Sequence, residues 1–158
     1  MGMSDKRKKS KGSVLAEPQI AYQIGQKLSI EQTSSKSDLE KGELARKGLP
    51  KSFALYIQRV LGLTGEQMSQ LLAISYRSYQ RKKEEDILDP ASSQQLIAII
   101  EILDHAKEVF ENPNDRVAWF FEPILGLGFQ RPIDLLDNAF NQRLVNQALG
   151  RLEHGIYG

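Results

Sequence analysis

From Gly48 onward the apolar positions recur every three or four residues, the spacing that puts side chains on one face of an α-helix. In LPKSFALYIQRVLGL, Phe53, Ile57, Val60 and Leu61 line one such face, which predicts a buried stripe. Thr64-Gly65-Glu66-Gln67 follows with capping-box spacing: the Thr64 hydroxyl can accept from the Gln67 amide while the Gln67 side chain turns back on the Thr64 amide. A short helix is expected there, with Met68, Leu71 and Leu72 inward and its end near Ala73. Ser75 can cap a further helix, YRSYQRKKEE, directly after the turn. Two short helices, a tight turn and a basic second helix make a helix-turn-helix pattern. Many such turns contain glycine, and Ala73-Ile74-Ser75 does not.

After Pro90 the spacing predicts a long amphipathic helix over Ser93 to Phe110, with Leu96, Ile99, Ile100, Leu103, Ala106 and Phe110 facing inward. Asn112-Pro113-Asn114-Asp115 breaks it, VAWFF forms a short apolar turn or helix around Trp119, and GLGFQRP reads as a loop. Pro132 suits the first turn of another helix, PIDLLD, and a last helix carries Leu144, Val145, Ala148, Leu149 and Leu152 before Gly155 stops it. No segment alternates as a strand does, so the fold class is all-α. Upstream, Ser37 and Glu40 have capping-box spacing in a polar linker, residues 14–30 show no clean period, and the first dozen residues read as disordered.

Composition sets the outer bounds. With 41% apolar and 26% charged residues the chain is in the globular range. The absence of cysteine excludes disulfides and thiolate metal sites and suits a reducing compartment. Only His105 and His154 are left as nitrogen ligands, so no metal and no cofactor are expected. The longest apolar runs, LIAII and VAWFF, fall far short of the ~20 residues a membrane helix needs. The cationic amino end lacks the apolar stretch of a secretory signal, which makes the cytoplasm the expected location.

The net charge of +1 hides a partition: residues 44–83 hold 8 basic side chains and one acidic, whereas residues 84–158 hold 5 basic and 13 acidic. Such asymmetry implies two surfaces, one for a polyanion and one for an electropositive partner. The cations concentrate on the Ser75-capped helix. There Ile74 and Tyr79 turn inward, leaving Arg77, Gln80 and Arg81 on the outer face as base-reading groups, because arginine can bond guanine and glutamine adenine bidentately. Ser78, Lys82 and Lys83 stand where phosphate contacts are expected, Arg46, Lys47 and Lys51 add charge from before, and Tyr76 can stack, bond a phosphate or touch a thymine methyl. Glu84 to Asp86 mark where the chain leaves that face. One short recognition helix reads too few base pairs for a unique site, which favours a symmetric dimer.

In order, ISYRSYQRK, LDPASSQQL leading into the long helix, AWFF, GFQRPIDLL and the ending LGRLEHGIYG resemble the Xre-type antitoxins of bacterial toxin–antitoxin systems, whose carboxy-terminal domain faces a RES-domain toxin. The resemblance covers about 110 residues by its motif span and leaves residues 1–43 outside. It implies a homodimeric protein that binds its promoter DNA, wraps an NAD-consuming toxin in a larger hetero-oligomer, and sets its end at the toxin's active-site mouth. The matching toxin-binding positions are Arg151, Glu153, His154, Gly155 and Tyr157. The expected organisation is an amino-terminal arm over 1–43, a helix-turn-helix DNA-binding domain over 44–90 (Ser75, Tyr76, Arg77, Ser78, Gln80, Arg81, Lys82, Lys83) and a helical toxin-binding and dimerisation domain over 91–158. The alternative is a dimeric transcription regulator without a toxin. An enzyme is not expected, since the chain has no glycine-rich phosphate loop, nucleophile-and-base motif or metal cluster.

Overall fold

The computed structural model describes residue 30 and residues 32–155; the readings made on residues 1–12, on 14–29 and on Ile156 and Tyr157 lie outside the described residues. Polar side chains set where the helices begin. Ser37 and Glu40 close a reciprocal capping box on α1 (Asp38–Lys47), and Thr64 and Gln67 close another on α3 (Gly65–Leu71). The Ser75 hydroxyl accepts from the Ser78 amide to start α4 (Tyr76–Arg81). Asp89, with Pro90 next to it, starts α5 (Pro90–Val109); Asn112 starts α6 (Pro113–Phe121) and Asn138 starts α7 (Ala139–Glu153). Between α6 and α7 lie two 3₁₀ turns, Leu125–Leu127 and Pro132–Leu135.

Helix α2 (Lys51–Leu61) begins differently. Pro50 offers no side-chain cap, and the chain after α4 supplies one instead: the Lys51 amide donates to the Asp86 carbonyl and the Ser52 amide to the Glu84 carbonyl, both at 2.9 Å. This return explains a departure from the sequence pattern. The segment Lys82 to Glu85 has fair helix propensity, yet α4 stops at Arg81 and Lys82 is extended, because the backbone of residues 84–86 is needed at the start of α2. Two smaller differences follow from packing. Val60 is 38% exposed, the buried stripe of α2 being Phe53, Ala54, Ile57 and Leu61, and PIDLLD forms a 3₁₀ turn where a helix was expected.

The fold is all-α, as the spacing predicts, and among the described residues the only β-type pairings are isolated bridges at Pro50–Ile87 and Ile124–Gln130. Helix α5 is its axis. Leu96, Ile97, Ile99, Ile100, Ile102, Leu103 and Ala106 are all buried, against α1 and α2 on one hand and α6 and α7 on the other. Polar ties fix the neighbours in register: the Leu136 carbonyl accepts from both Gln95 on α5 (2.7 Å) and Gln142 on α7 (2.8 Å), and the Ser93 hydroxyl meets the Leu49 amide at 2.9 Å. Among the described residues no helix is long and apolar enough to cross a membrane.

Two backbone positions carry strain or prevent it. Gly48 has φ +85°, and a Cβ there would lie 2.5 Å from the Leu88 carbonyl oxygen and against the Ile87 side chain. Ala73 occupies the turn position where glycine is usual and adopts φ 56°. Gly48→Ala is therefore expected to cost about 2–4 kcal/mol through strain and overpacking. Ala73→Gly should stabilise by about 0.5 kcal/mol, the relief of ~1–2 from the left-handed backbone less ~0.4–1 of extra unfolded-state entropy. Urea denaturation midpoints check both.

Candidate functional site

Helices α3 and α4 form the helix-turn-helix, and its exposed face carries the expected side chains. Arg77, Gln80, Arg81 and Lys83 are exposed, Tyr79 is buried and Ile74 is half-buried against the core. Among the described residues Arg77, Arg81 and Lys83 make no ion pair, which leaves their charge available to an anion. Tyr76 is 42% exposed; it stands where a Cβ on Gly65 would touch its ring at 3.2 Å, so the bare backbone at the start of α3 gives the ring its place. Ser75 and Ser78 are committed to each other, hydroxyl to hydroxyl at 2.8 Å, as the cap of α4. Lys82 lies beyond the helix, half-buried, with its ammonium on the Ile87 carbonyl at 3.2 Å.

Lys51 is where the structure corrects the expectation of a charge facing DNA. It is buried at 8% exposure, and its ammonium donates to the carbonyls of Tyr79 (2.7 Å) and Lys82 (2.8 Å) while sitting 4.4 Å from the centre of the Tyr79 ring. A cation at the carbonyl end of a helix complements the negative end of the helix dipole and satisfies oxygens that would otherwise be orphaned. Burial pulls the Lys51 pKa below the usual lysine range, against the opposing pull of the Glu84 and Asp86 carboxylates. Tyr79 completes the mount: its hydroxyl donates to Gln58 on α2 at 3.0 Å, and burial pushes its pKa up to about 12. Arg46 and Lys47 are exposed on α1, where Arg46 lines a groove against α5 with Gln94 and Glu101.

The second candidate region is the end of α7. Arg151, Glu153, His154 and Gly155 are exposed there, and Gly155 takes φ 68°, a conformation that turns the chain off the helix. The Glu153 carboxylate is engaged within the chain. His105 on α5 meets it through Nε2 at 3.1 Å and meets the Asn146 side-chain oxygen through Nδ1 at 2.6 Å, so one imidazole pins α7 to α5 at two places. Burial depresses the His105 pKa, but the hydrogen bonds to Asn146 and Glu153 and the nearby charges of Glu153 and Glu108 outweigh it, and the net direction is upward.

The acidic half is less free than its charge suggests. Glu101 is held by Lys41, Asp104 by Lys107 and Ser34, and Asp134 by Arg131 in a two-bond fork at 2.7 and 2.8 Å. Helical spacing named Leu144 with the apolar residues of the last helix, but it is 49% exposed, and the spacing did not single out two further exposed rings. Phe140 is 74% exposed and Phe129, at φ 61°, is 69% exposed. The signal for Phe140 was present in the pattern, since it falls opposite Gln142, Val145 and Leu149 on the helical wheel.

Comparison with known proteins finds two family matches along the chain. Residues 41–101 match the antitoxin Xre-like helix-turn-helix domain, and residues 105–155 match the antitoxin Xre/MbcA/ParS C-terminal toxin-binding domain. A protein named Antitoxin Xre from Photorhabdus laumondii subsp. laumondii is 30% identical over 115 residues, 72% of this chain and 78% of that protein. Another Antitoxin Xre, from Yersinia enterocolitica, is 30% identical over 86 residues, 53% of this chain and 58% of that one. A chain in the crystal structure of the M. tuberculosis MbcT–MbcA toxin–antitoxin complex shares the fold with a TM-score of 0.50 at 24% identity, covering 68% of this chain and 96% of its own.

Replacing Lys51 by methionine strands two carbonyls and is expected to cost about 2–3 kcal/mol in a denaturant titration. His105 gives a pH signature. Because its native pKa is raised, the stability it contributes is complete below its unfolded value and fades as the pH climbs through the native one. The stability gap between the wild type and His105→Ala should therefore be wider at about pH 6 than at about pH 9 in paired thermal melts.

Proposed function

The chain belongs to the Xre family of antitoxins, and from that premise we propose that it neutralises a RES-type, NAD-consuming toxin by placing its carboxy-terminal end at the toxin's active-site mouth, and represses its own promoter through α4. The observation that carries this reading is the order of parts along one chain: a helix-turn-helix with unpaired exposed arginines, then a toxin-binding domain whose last helix stops at Gly155 in a left-handed conformation. On the DNA side, Arg77, Gln80 and Arg81 read base edges, Lys83 and Tyr76 meet phosphates, and Ser75 and Ser78 fix the helix that presents them. Two copies are needed, since the six residues of α4 span only a few base pairs. On the toxin side, Arg151, Glu153, His154, Gly155 and Tyr157 form the occluding end.

Val145, Ala148 and Leu149 are core residues, so removing the whole of α7 would unfold the protein and test nothing. The clean alteration deletes residues 154–158. That chain should lose protection of cells from the toxin while still binding the promoter, and an Arg77→Ala, Arg81→Ala chain should do the reverse; full protection by the shortened chain would refute occlusion. In promoter binding, Arg77→Ala and Gln80→Ala should relax sequence preference by about 1–3 kcal/mol at one base position, whereas Lys83→Ala should weaken all sequences alike and reduce the salt slope by about 1. Gel-shift titrations on mutated operators at several salt concentrations distinguish these outcomes.

A further inference from the structure

Phe140 and Leu144 are one turn apart on α7, 74% and 49% exposed, on the side away from buried Val145 and Leu149. An aromatic and a leucine stacked in this way on a solvent face have no folding role to explain them. Their row continues, at the spacings that keep to one face of a helix, through exposed Gln147 to Arg151, the first residue of the occluding end. The Arg143 guanidinium lies 5.2 Å from the Phe140 ring centre, covering part of the ring from the same helix and limiting its freedom. Beside Phe140 a groove of about 670 Å³ runs between α5 and α7, floored by Ile102 and Ala98.

We propose that this outer face of α7, anchored on Phe140 and Leu144, is the main docking surface for the toxin, which presents an apolar patch to it, and that the groove beside Phe140 accepts a side chain of that patch. The inference rests on the antitoxin reading and adds to it the part that supplies affinity. The toxin is the occupant for two reasons. The row is continuous with the proposed occluding end, and all of it lies in the segment matched to the toxin-binding domain, whereas α3 and α4 carry the side chains proposed to face DNA. A rigid aromatic set in a helix loses little freedom on binding and excludes water from its surroundings, which is the usual character of an interface anchor. The tail then serves to block, and the helix body to hold.

The test titrates a catalytically inactive RES-domain toxin against full-length chains. Phe140→Ser and Leu144→Ser leave the core untouched and should melt with the wild type. Phe140→Ser should weaken toxin binding by at least about thirtyfold, Leu144→Ser by about tenfold, and both should leave promoter binding unchanged. Phe129→Ser, which removes an equally exposed ring from a different element, should have little effect. Unchanged toxin affinity in Phe140→Ser, while the chain lacking residues 154–158 loses it, overturns the docking surface and leaves the antitoxin reading standing. If Phe140→Ser halves the mass of the free protein and keeps toxin affinity, the face belongs to a second copy and the proposal is wrong. No binding by the wild type would remove the reading and the proposal together.

Discussion

Helix α5 is buried along most of its length, and that constraint orders everything around it. A helix with Leu96, Ile97, Ile99, Ile100, Ile102 and Leu103 buried presents apolar side chains through most of its circumference and must be enclosed from several directions. The helices before it in the chain enclose one part and those after it another. Polar chemistry is thereby displaced to the outside of the flanking elements: the arginines of α4 on one portion of the surface, the end of α7 on another. The two surfaces are built on one hydrophobic core, and a change to the middle of α5 would disturb both.

The basic helix shows how local weakness is compensated by distant groups. Six residues make fewer than two turns, too little to hold its shape in water. A serine cap begins it, the Tyr79 side chain roots it in the core, and the Lys51 ammonium closes its carbonyl end. Charge therefore does two jobs within a few residues. Lys51 gives up its access to water to hold the helix, and the arginines keep theirs.

Much of this architecture was legible in the sequence because it rests on local rules. The capping boxes at Ser37 and Thr64, the serine cap at Ser75 and the period of α5 all lie within one or two turns of the residues they govern. What the chain did not disclose depends on partners far along it. Lys51 looks like one more surface cation until the Tyr79 and Lys82 carbonyls, about thirty positions later, come to rest above it. Nothing near Lys82 forbids further helix; the demand for the Glu84 and Asp86 carbonyls at α2 ends it. His105 shows no sign in sequence of its pairing with Asn146 and Glu153. At the candidate sites, the exposed arginines followed from amphipathic spacing, whereas the internal pairing of Glu101, Asp134 and Glu153 could not be told from charge counts.

The return of the chain to Leu49 has one more implication. Leu88 donates to the Leu49 carbonyl at 2.9 Å, Ile87 bridges Pro50, and Gly48 is bare so that the strands of this neck can touch. Everything from α2 through α4 thus leaves and re-enters the body of the protein at a single point, like a cassette seated in a socket. Segments whose ends already meet are those most readily exchanged between genes or grafted by hand, since the host need not stretch to receive them. A lineage could exchange this cassette alone, with α1 and the helices from α5 onward inherited intact.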